Sequence, residues 1–308
     1  MGILNWSDLR NSVSVTLMGG LGRLGILGLG GLGGLGGLSL AGEAPVKQEA
    51  QVMSLEQEAR QVLLAIFQKK EPHAVDRWFA DSFVQHDPAI ADGIAGMNAF
   101  AREIAESPSA HITIYRVLVD HDLVLVHSKY EGLKDQPTAW IAFDLLRFKS
   151  GKIVEHWGGQ EPETPPNPSG RTQVDGPTRV TDLEKTEANR ALVQRFKEVV
   201  TVQLHFDRAP EFLDTHYAQH ASHVGDGISQ LNARVASVTQ AKATGTLKPR
   251  RYVAEGNFVL ALVEGNTPMG HTADYDLFRV AGGKIVEHWD VISKIPPPEQ
   301  RRNTNDPF

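Results

Sequence analysis

A fifteen-residue stretch occurs twice in this chain, so the fold has to be built in duplicate. The first copy runs Phe143-Asp144-Leu145-Leu146-Arg147-Phe148, Lys149-Ser150-Gly151-Lys152, Ile153-Val154-Glu155-His156-Trp157. The second runs Tyr275-Asp276-Leu277-Phe278-Arg279-Val280, Ala281-Gly282-Gly283-Lys284, Ile285-Val286-Glu287-His288-Trp289, at an offset of 132 without a gap. Each reads as a strand, a tight Gly-Lys turn and a second strand, a β-hairpin. An acid interrupts the apolar first strand of both copies. A polar group there needs a partner or a task, which marks Asp144 and Asp276.

The chain before each hairpin repeats as well. Ala59, Val62, Leu63, Ile66 and Phe67 fall at helical spacing, as do Leu192, Val193, Phe196, Val199 and Val200. A second short helix is expected through Trp78 and Phe79, running out at Gln85-His86-Asp87-Pro88, and another through Phe212 and Tyr217. Asp92-Gly93 and Asp226-Gly227 are turns, and a third helix is expected over 96–105. Four strands follow in the first repeat: Ile112–Val119, Leu123–Tyr130, Thr138–Phe148 and Ile153–Trp157. Helices first and strands after predict α+β domains with mostly antiparallel sheets. The expected divisions are a leader (1–53), domain 1 (54–163), a Pro-rich linker (164–184), domain 2 (185–296) and a flexible tail (297–308).

The leader is the least ordinary segment. Twelve of the 24 residues from Gly19 to Gly42 are glycine, too many for a stable soluble helix. Disorder is the expectation, with cytoplasmic residence. Ser39-Leu40-Ala41 also resembles a signal cleavage site, which would instead imply export, although Arg23 interrupts the run. Net charge is −6 and only Lys248-Pro249-Arg250-Arg251 forms a basic block, so neither nucleic acid nor a membrane is an expected partner. With no cysteine, thiolate chemistry is excluded. His216, His220 and His223 suggest zinc by spacing, but Ser82 and Ala89 replace the outer two in the first repeat, so no metal is expected.

The order helix, helix, Gln-His, Asp-Gly, helix, strands, aromatic-Asp-Leu-x-Arg and Gly-Lys-Ile-Val-Glu-His-Trp resembles the SnoaL-like polyketide cyclases of the nuclear-transport-factor-two-like superfamily. The group described as predicted SnoaL-like aldol-condensation enzymes is especially similar. The resemblance covers roughly residues 56–163 and 188–296. It implies two cone-shaped domains, each a curved sheet around helices with a pocket inside. It also implies a cofactor-free acid/base role for an Asp, for which Asp144 and Asp276 are the nearest counterparts. The copies depart from the pattern differently. Repeat two has Glu287-His288-Trp289-Asp290, whereas repeat one has Gly158-Gly159 after its Trp; repeat one has Gln85-His86-Asp87-Pro88, whereas repeat two has Gln219-His220-Ala221-Ser222.

The residues therefore support proton transfer on a small, apolar carbonyl compound by Asp276 and His220, with Asp144 and His86 as their counterparts. A carboxylate desolvated in such a strand would have a raised pKa. His288, Trp289, Asp290, His156, Trp157 and His127 are candidates to line the pockets. Strand parity turns each His away from its neighbouring Trp, so only one of the two can face inward. The other reading is a non-catalytic binding or scaffold protein, with Asp276 a satisfied core acid. Finally, Ile141, Phe143 and Leu145 make one face of their strand apolar, and Leu146 and Phe148 the other. A sheet apolar on both faces needs cover on both. The two repeats are thus expected to pack sheet against sheet as an intrachain pseudo-dimer, with further homo-oligomerisation open.

Overall fold

Each repeat starts with a helix whose apolar face is covered by the sheet that follows. The structure is a computed structural model describing residues 53–308 apart from 72, 135, 233–244 and 268–269. The leader, with the disorder and export readings attached to it, lies outside the described residues but for Met53. Ser54 and Gln57 form a capping box at the start of α1 (Leu55–Phe67). Then come α2 (Ala74–Trp78), β1 (Phe79–Gln85), α3 (Gly93–Ala105), β2 (His111–Asp120), β3 (Leu123–Glu131), β4 (Trp140–Lys149) and β5 (Lys152–Pro162). The second repeat runs α4 (Thr186–Phe196), a π-helical turn (Lys197–Val202), a 3-10 turn (Phe206–Glu211), β6 (Leu213–Gln219), β7 (Thr246–Glu255), β8 (Phe258–Thr267), β9 (Gly270–Ala281) and β10 (Lys284–Lys294).

The strand orders are β1-β5-β4-β3-β2 and β6-β10-β9-β8-β7, the same topology twice. Each repeat is an α+β domain, a five-stranded sheet with its helices against one face. One expectation is corrected: 79–85 and 213–219 are strands, not helix. β1 and β6 run parallel to β5 and β10, and that ladder, burying Phe83 and Gln85 on one side and Tyr217 and Gln219 on the other, outweighs local helical spacing. This one change reverses where His86 and His220 point.

The sheets pack face to face. Leu125, Phe143, Leu145 and Trp157 share one buried cluster with Leu260, Tyr275, Leu277 and Trp289. The helix-side faces have separate cores, one around Phe67, Phe83 and Leu146, the other around Phe196, Tyr217 and Phe278. The intrachain pseudo-dimer expected from two-sided apolar strands is the observed arrangement. It is pinned reciprocally. Arg116 of β2 lies 4.1 Å over the Trp289 ring, and Arg251 of β7 lies 4.3 Å over Trp157. On the opposite ring faces, His220 stacks on Trp289 at 4.6 Å and His86 on Trp157 at 4.5 Å. Burial pulls the Arg116 pKa down to about 10. The carbonyls of Val174, Asp175 and Pro177 accept its hydrogen bonds.

The segments leaving each sheet are docked, which corrects the flexible tail. After β5, Asn167 donates to the carbonyls of Gln219, Ala221 and Val224. After β10, Asn303 donates to those of Asp87 and Ile90, and Asn305 to that of Gln85. Each repeat's exit segment thus holds the loop after the first strand of the other repeat.

Gly159 shows how closely the sheets approach. A Cβ there would lie 2.3 Å from Tyr275 Cε2, and Tyr275 stacks parallel to Phe143. The Val that occupies the corresponding position 291 cannot fit in this repeat. Gly159→Val should therefore lower unfolding stability by about 1–3 kcal/mol, read from urea melts. An unchanged midpoint would contradict this packing.

Candidate active sites inside the two cones

The alternation of β4 and β9 sends Asp144 and Asp276 to the helix side, away from the partner sheet. The same alternation in β5 and β10 sends His156 and His288 inward and Trp157 and Trp289 outward. In the first cone His156 Nε2 lies 3.0 Å from Asp144 Oδ1, and Tyr130 donates its hydroxyl to Asp144 Oδ2. In the second, His288 Nε2 lies 2.9 Å from Asp276 Oδ1, and Lys197 Nζ donates to Oδ2 at 2.7 Å.

A glutamine fixes the tautomer in both. Gln85 Oε1 accepts the Asp87 N–H and Gln219 Oε1 the Ala221 N–H, each at 2.9 Å. The imidazole Nδ1 facing each of these oxygens, also at 2.9 Å, therefore carries a proton and donates it.

Lys197 sets the charge balance of the second cone. It sits at the π-helical turn that continues α4, a distortion frequent at functional sites. Burial acts to raise the pKa of Asp276, but Lys197 and His288 outweigh it and hold the carboxylate well below its usual range. This corrects the expected direction: Asp276 is an ion-paired anion, 14% exposed. Burial also lowers the His288 imidazolium, only partly offset by Asp276.

The raised acids are its neighbours. Asp290 stands opposite Asp276 across the β10–β9 ladder. Burial pushes its carboxyl well above the ordinary value, and Glu161, Asp276 and Asp274 add to the rise. Its side chain makes no hydrogen bond among the described residues. Asp274, two residues before Asp276 on the same face, is pushed up to about 6 by burial and by the Asp276 charge. Its Oδ1 is buried without a hydrogen-bond partner. Glu161 reaches this group from the first repeat, accepting from the Ile292 N–H.

Other candidates serve the interface instead. His86 stacks on Trp157 and donates from Nδ1 to the Asp306 carbonyl. His220 is buried between Glu287, at 2.8 Å from Nε2, and the Thr172 carbonyl and Asp175 at Nδ1. His127 stacks on Phe143 and contacts Arg116, and burial drives its pKa well down. All three, with Trp157 and Trp289, lie between the sheets; for His86 and His220 this follows from β1 and β6 being strands, which turn the residue after Gln85 or Gln219 to the face opposite the glutamine. His216 is an exposed strand residue, so its helical spacing to His220 has no meaning here. Sequence reasoning missed Lys197, Asp274, Tyr130 and Tyr217. Lys197 had a visible signal, a cation set on an apolar helix face.

Asp276, His288 and Asp290 offer atoms within 4.8 Å of one another, a possible cation cluster. Both Asp276 oxygens and both His288 nitrogens are already engaged, however, and Lys197 supplies the positive charge. A metal ion would have to displace the Asp276–His288 contact and sit beside the Lys197 ammonium, so the set does not fit one. A surface hollow lined by Asp120–Leu123, Glu187 and Arg190 contains none of these residues.

Two predictions follow from the charge balance. Lys197→Met should cost about 3–5 kcal/mol at pH 7 by leaving Asp276 buried without its cation. Because the folded pKa of Asp276 is depressed, its contribution is full above about pH 4 and fades as pH falls toward the folded value. The deficit measured in urea melts should thus narrow at pH 3; equal deficits at pH 7 and pH 3 would contradict the pairing. Asp274 has the opposite sign. Its folded pKa is raised, so stability is lost as pH rises from about 4 to about 6. Asp274→Asn should gain about 1–3 kcal/mol at pH 7 and nothing near pH 3, and a loss at pH 7 would contradict it.

Residues 60–156 match the family model described as SnoaL-like domain. No curated protein matches the chain. Among solved structures, TsrD from Streptomyces laurentii is similar at 18% identity, covering 34% of this chain and 89% of its own, with a TM-score of 0.30. An NTF2-like protein from Mesorhizobium loti is 17% identical over 36% of this chain and 97% of its own, TM-score 0.30. A Catenulispora acidiphila DSM 44928 protein with a ketosteroid isomerase-like fold, in complex with trimethylamine, is 21% identical over 33% and 83%, TM-score 0.29. Each covers about one repeat. Residues 60–156 are thus similar to a SnoaL-like domain, and the second repeat has the same strand order as the first.

Proposed function

We propose that the second cone performs cofactor-free proton transfer on a small, largely apolar carbonyl compound, in a reaction of the isomerase, cyclase or aldol/lyase type. The observation that carries this reading is the meeting of three carboxyls on one face of the β9–β10 ladder, in environments that hold Asp276 low, push Asp274 up to about 6 and push Asp290 well up. Divergent environments for neighbouring acids are how one site supplies both an acid and a base. Asp290, kept as a neutral carboxylic acid, donates to the carbonyl oxygen. Asp274, with a pKa close to working pH, takes the α-proton and returns it. The two are diagonal neighbours on one face of the ladder, about 7 Å apart at Cβ, so one ligand lying over that face can meet both. Asp276, Lys197 and His288 then act as a fixed charge frame. This moves the acid/base role suggested for Asp276 to its neighbours.

The rival reading is a non-catalytic binding or scaffold protein. It is favoured by one observation: both oxygens of Asp276 are already satisfied. Membrane attachment through a helix has no support among the described residues, none of whose helices is long and apolar enough to cross a bilayer.

The test is α-proton exchange of β-tetralone, an apolar and readily enolised ketone, in D2O, followed by mass spectrometry. Exchange should exceed that in buffer, with a limb near pH 6 for Asp274. Asp290→Asn should lower the second cone's rate about 10²-fold or more, with thermal stability retained. Saturable β-tetralone binding without exchange would favour the binding reading.

A further inference from the structure

The Gly158-Gly159 pair looks like a loss of function in the first repeat, since Asp290 has no counterpart there. The packing around Gly158 gives a different account. Gly158 faces Asp144 across the ladder as Asp290 faces Asp276. A Cβ placed on Gly158 would lie 2.8 Å from Asp87 Oδ2 and 3.2 Å from His156 Cε1. The space that the Asp290 side chain fills in one cone is therefore filled in the other by the carboxyl of Asp87. Asp87 arrives from the loop after β1, with Oδ1 accepting the Ala89 N–H at 2.8 Å. Its Oδ2 has no hydrogen bond among the described residues. The equivalent loop position in the second repeat is Ala221, because both backbone N–H groups bond the tautomer-fixing glutamine. Each repeat thus has one acid and one small residue at the two positions, in opposite order.

We propose that the first cone is a second site for the same carbonyl chemistry, with Asp87 supplying from the loop the carboxyl that Asp290 supplies from the strand. This rests on the proton-transfer reading of the second cone. Burial pushes the Asp87 carboxyl up and Asp144 adds to the rise, so both acids answer to the same kind of environment. The accompanying groups differ. Ala142 stands in register with Asp274, and Tyr130, a neutral donor, replaces Lys197 on the central carboxylate. Among the described residues no lysine lies on Asp144, and as the central carboxylate of the first cone it is the group placed to take the α-proton. In the step, Asp87 gives its proton to the carbonyl oxygen and Asp144 takes the α-proton, while the C–H electron pair becomes the enol double bond. Collapse of the enol returns both protons, and no electrons enter or leave. The ligand class is a small enolisable ketone.

The full-length chain can be tested with 2-naphthol, which mimics the enol of β-tetralone, and with β-tetralone exchange in D2O. Calorimetry should give two 2-naphthol molecules per chain for the parent protein and one for Asp87→Ala or for Asp290→Asn. Asp87→Ala combined with Gly158→Asp should restore the second molecule by giving the first cone the strand-borne acid of the other. Asp290→Asn should keep the first cone's share of exchange, and adding Asp87→Asn should remove about 10-fold or more of what is left. A single bound molecule that Asp87→Ala does not affect, with exchange abolished by Asp290→Asn alone, would overturn this inference and leave the second cone intact. No binding and no exchange in the parent protein would overturn the proposed function, and this inference with it.

Discussion

Everything in this molecule depends on covering two sheets that are apolar on both sides. One side of each is covered by its own helices, and the other has only the second sheet of the same chain to bury against. The contact is fixed by two crossed stacks, Arg251–Trp157–His86 and Arg116–Trp289–His220. A guanidinium is weakly hydrated and planar, so it can lie flat against a buried aromatic ring. Arg116 is affordable there because three backbone carbonyls and an aromatic face replace its water. Once this layer is fixed, the opposite face of each strand is fixed too, and with it the inward direction of Asp144, Asp276, His156 and His288.

Much of that was legible in the sequence. The undrifted hairpin repeat implied two like domains, and strand parity separated each inward His from its outward Trp. The two-sided apolar strand implied the sheet-on-sheet contact. What failed did so for one local reason. The segments 79–85 and 213–219 follow residues at helical spacing, and only a parallel partner about seventy residues away makes them strands. Misread as helix, they left His86 and His220 looking like pocket residues.

The sites were partly legible. An acid inside an apolar strand was a sound pointer to Asp144 and Asp276. Their charge state was not readable, because the Asp276 partner Lys197 lies 79 residues away. Nor could the sequence show that Asp87 and Gly158 belong to one volume, since a glycine followed by a glycine reads as an absence. Only the three-dimensional register makes it a vacancy left for a neighbour's carboxyl. Gly159, beside it, admits the Tyr275 ring.

The docked exit segments impose an order on how the molecule can be completed. The segment gripping the second repeat's loop, around Asn167, precedes that loop in the chain, so it is waiting when the loop is made. The segment gripping the first repeat's loop, around Asn303 and Asn305, is translated more than two hundred residues after it. On a ribosome the first cone can therefore form its helices and sheet early, but the loop that carries Asp87 stays unbraced until Asn303 and Asn305 emerge. Of the two cones, the one synthesised first is the last to be finished.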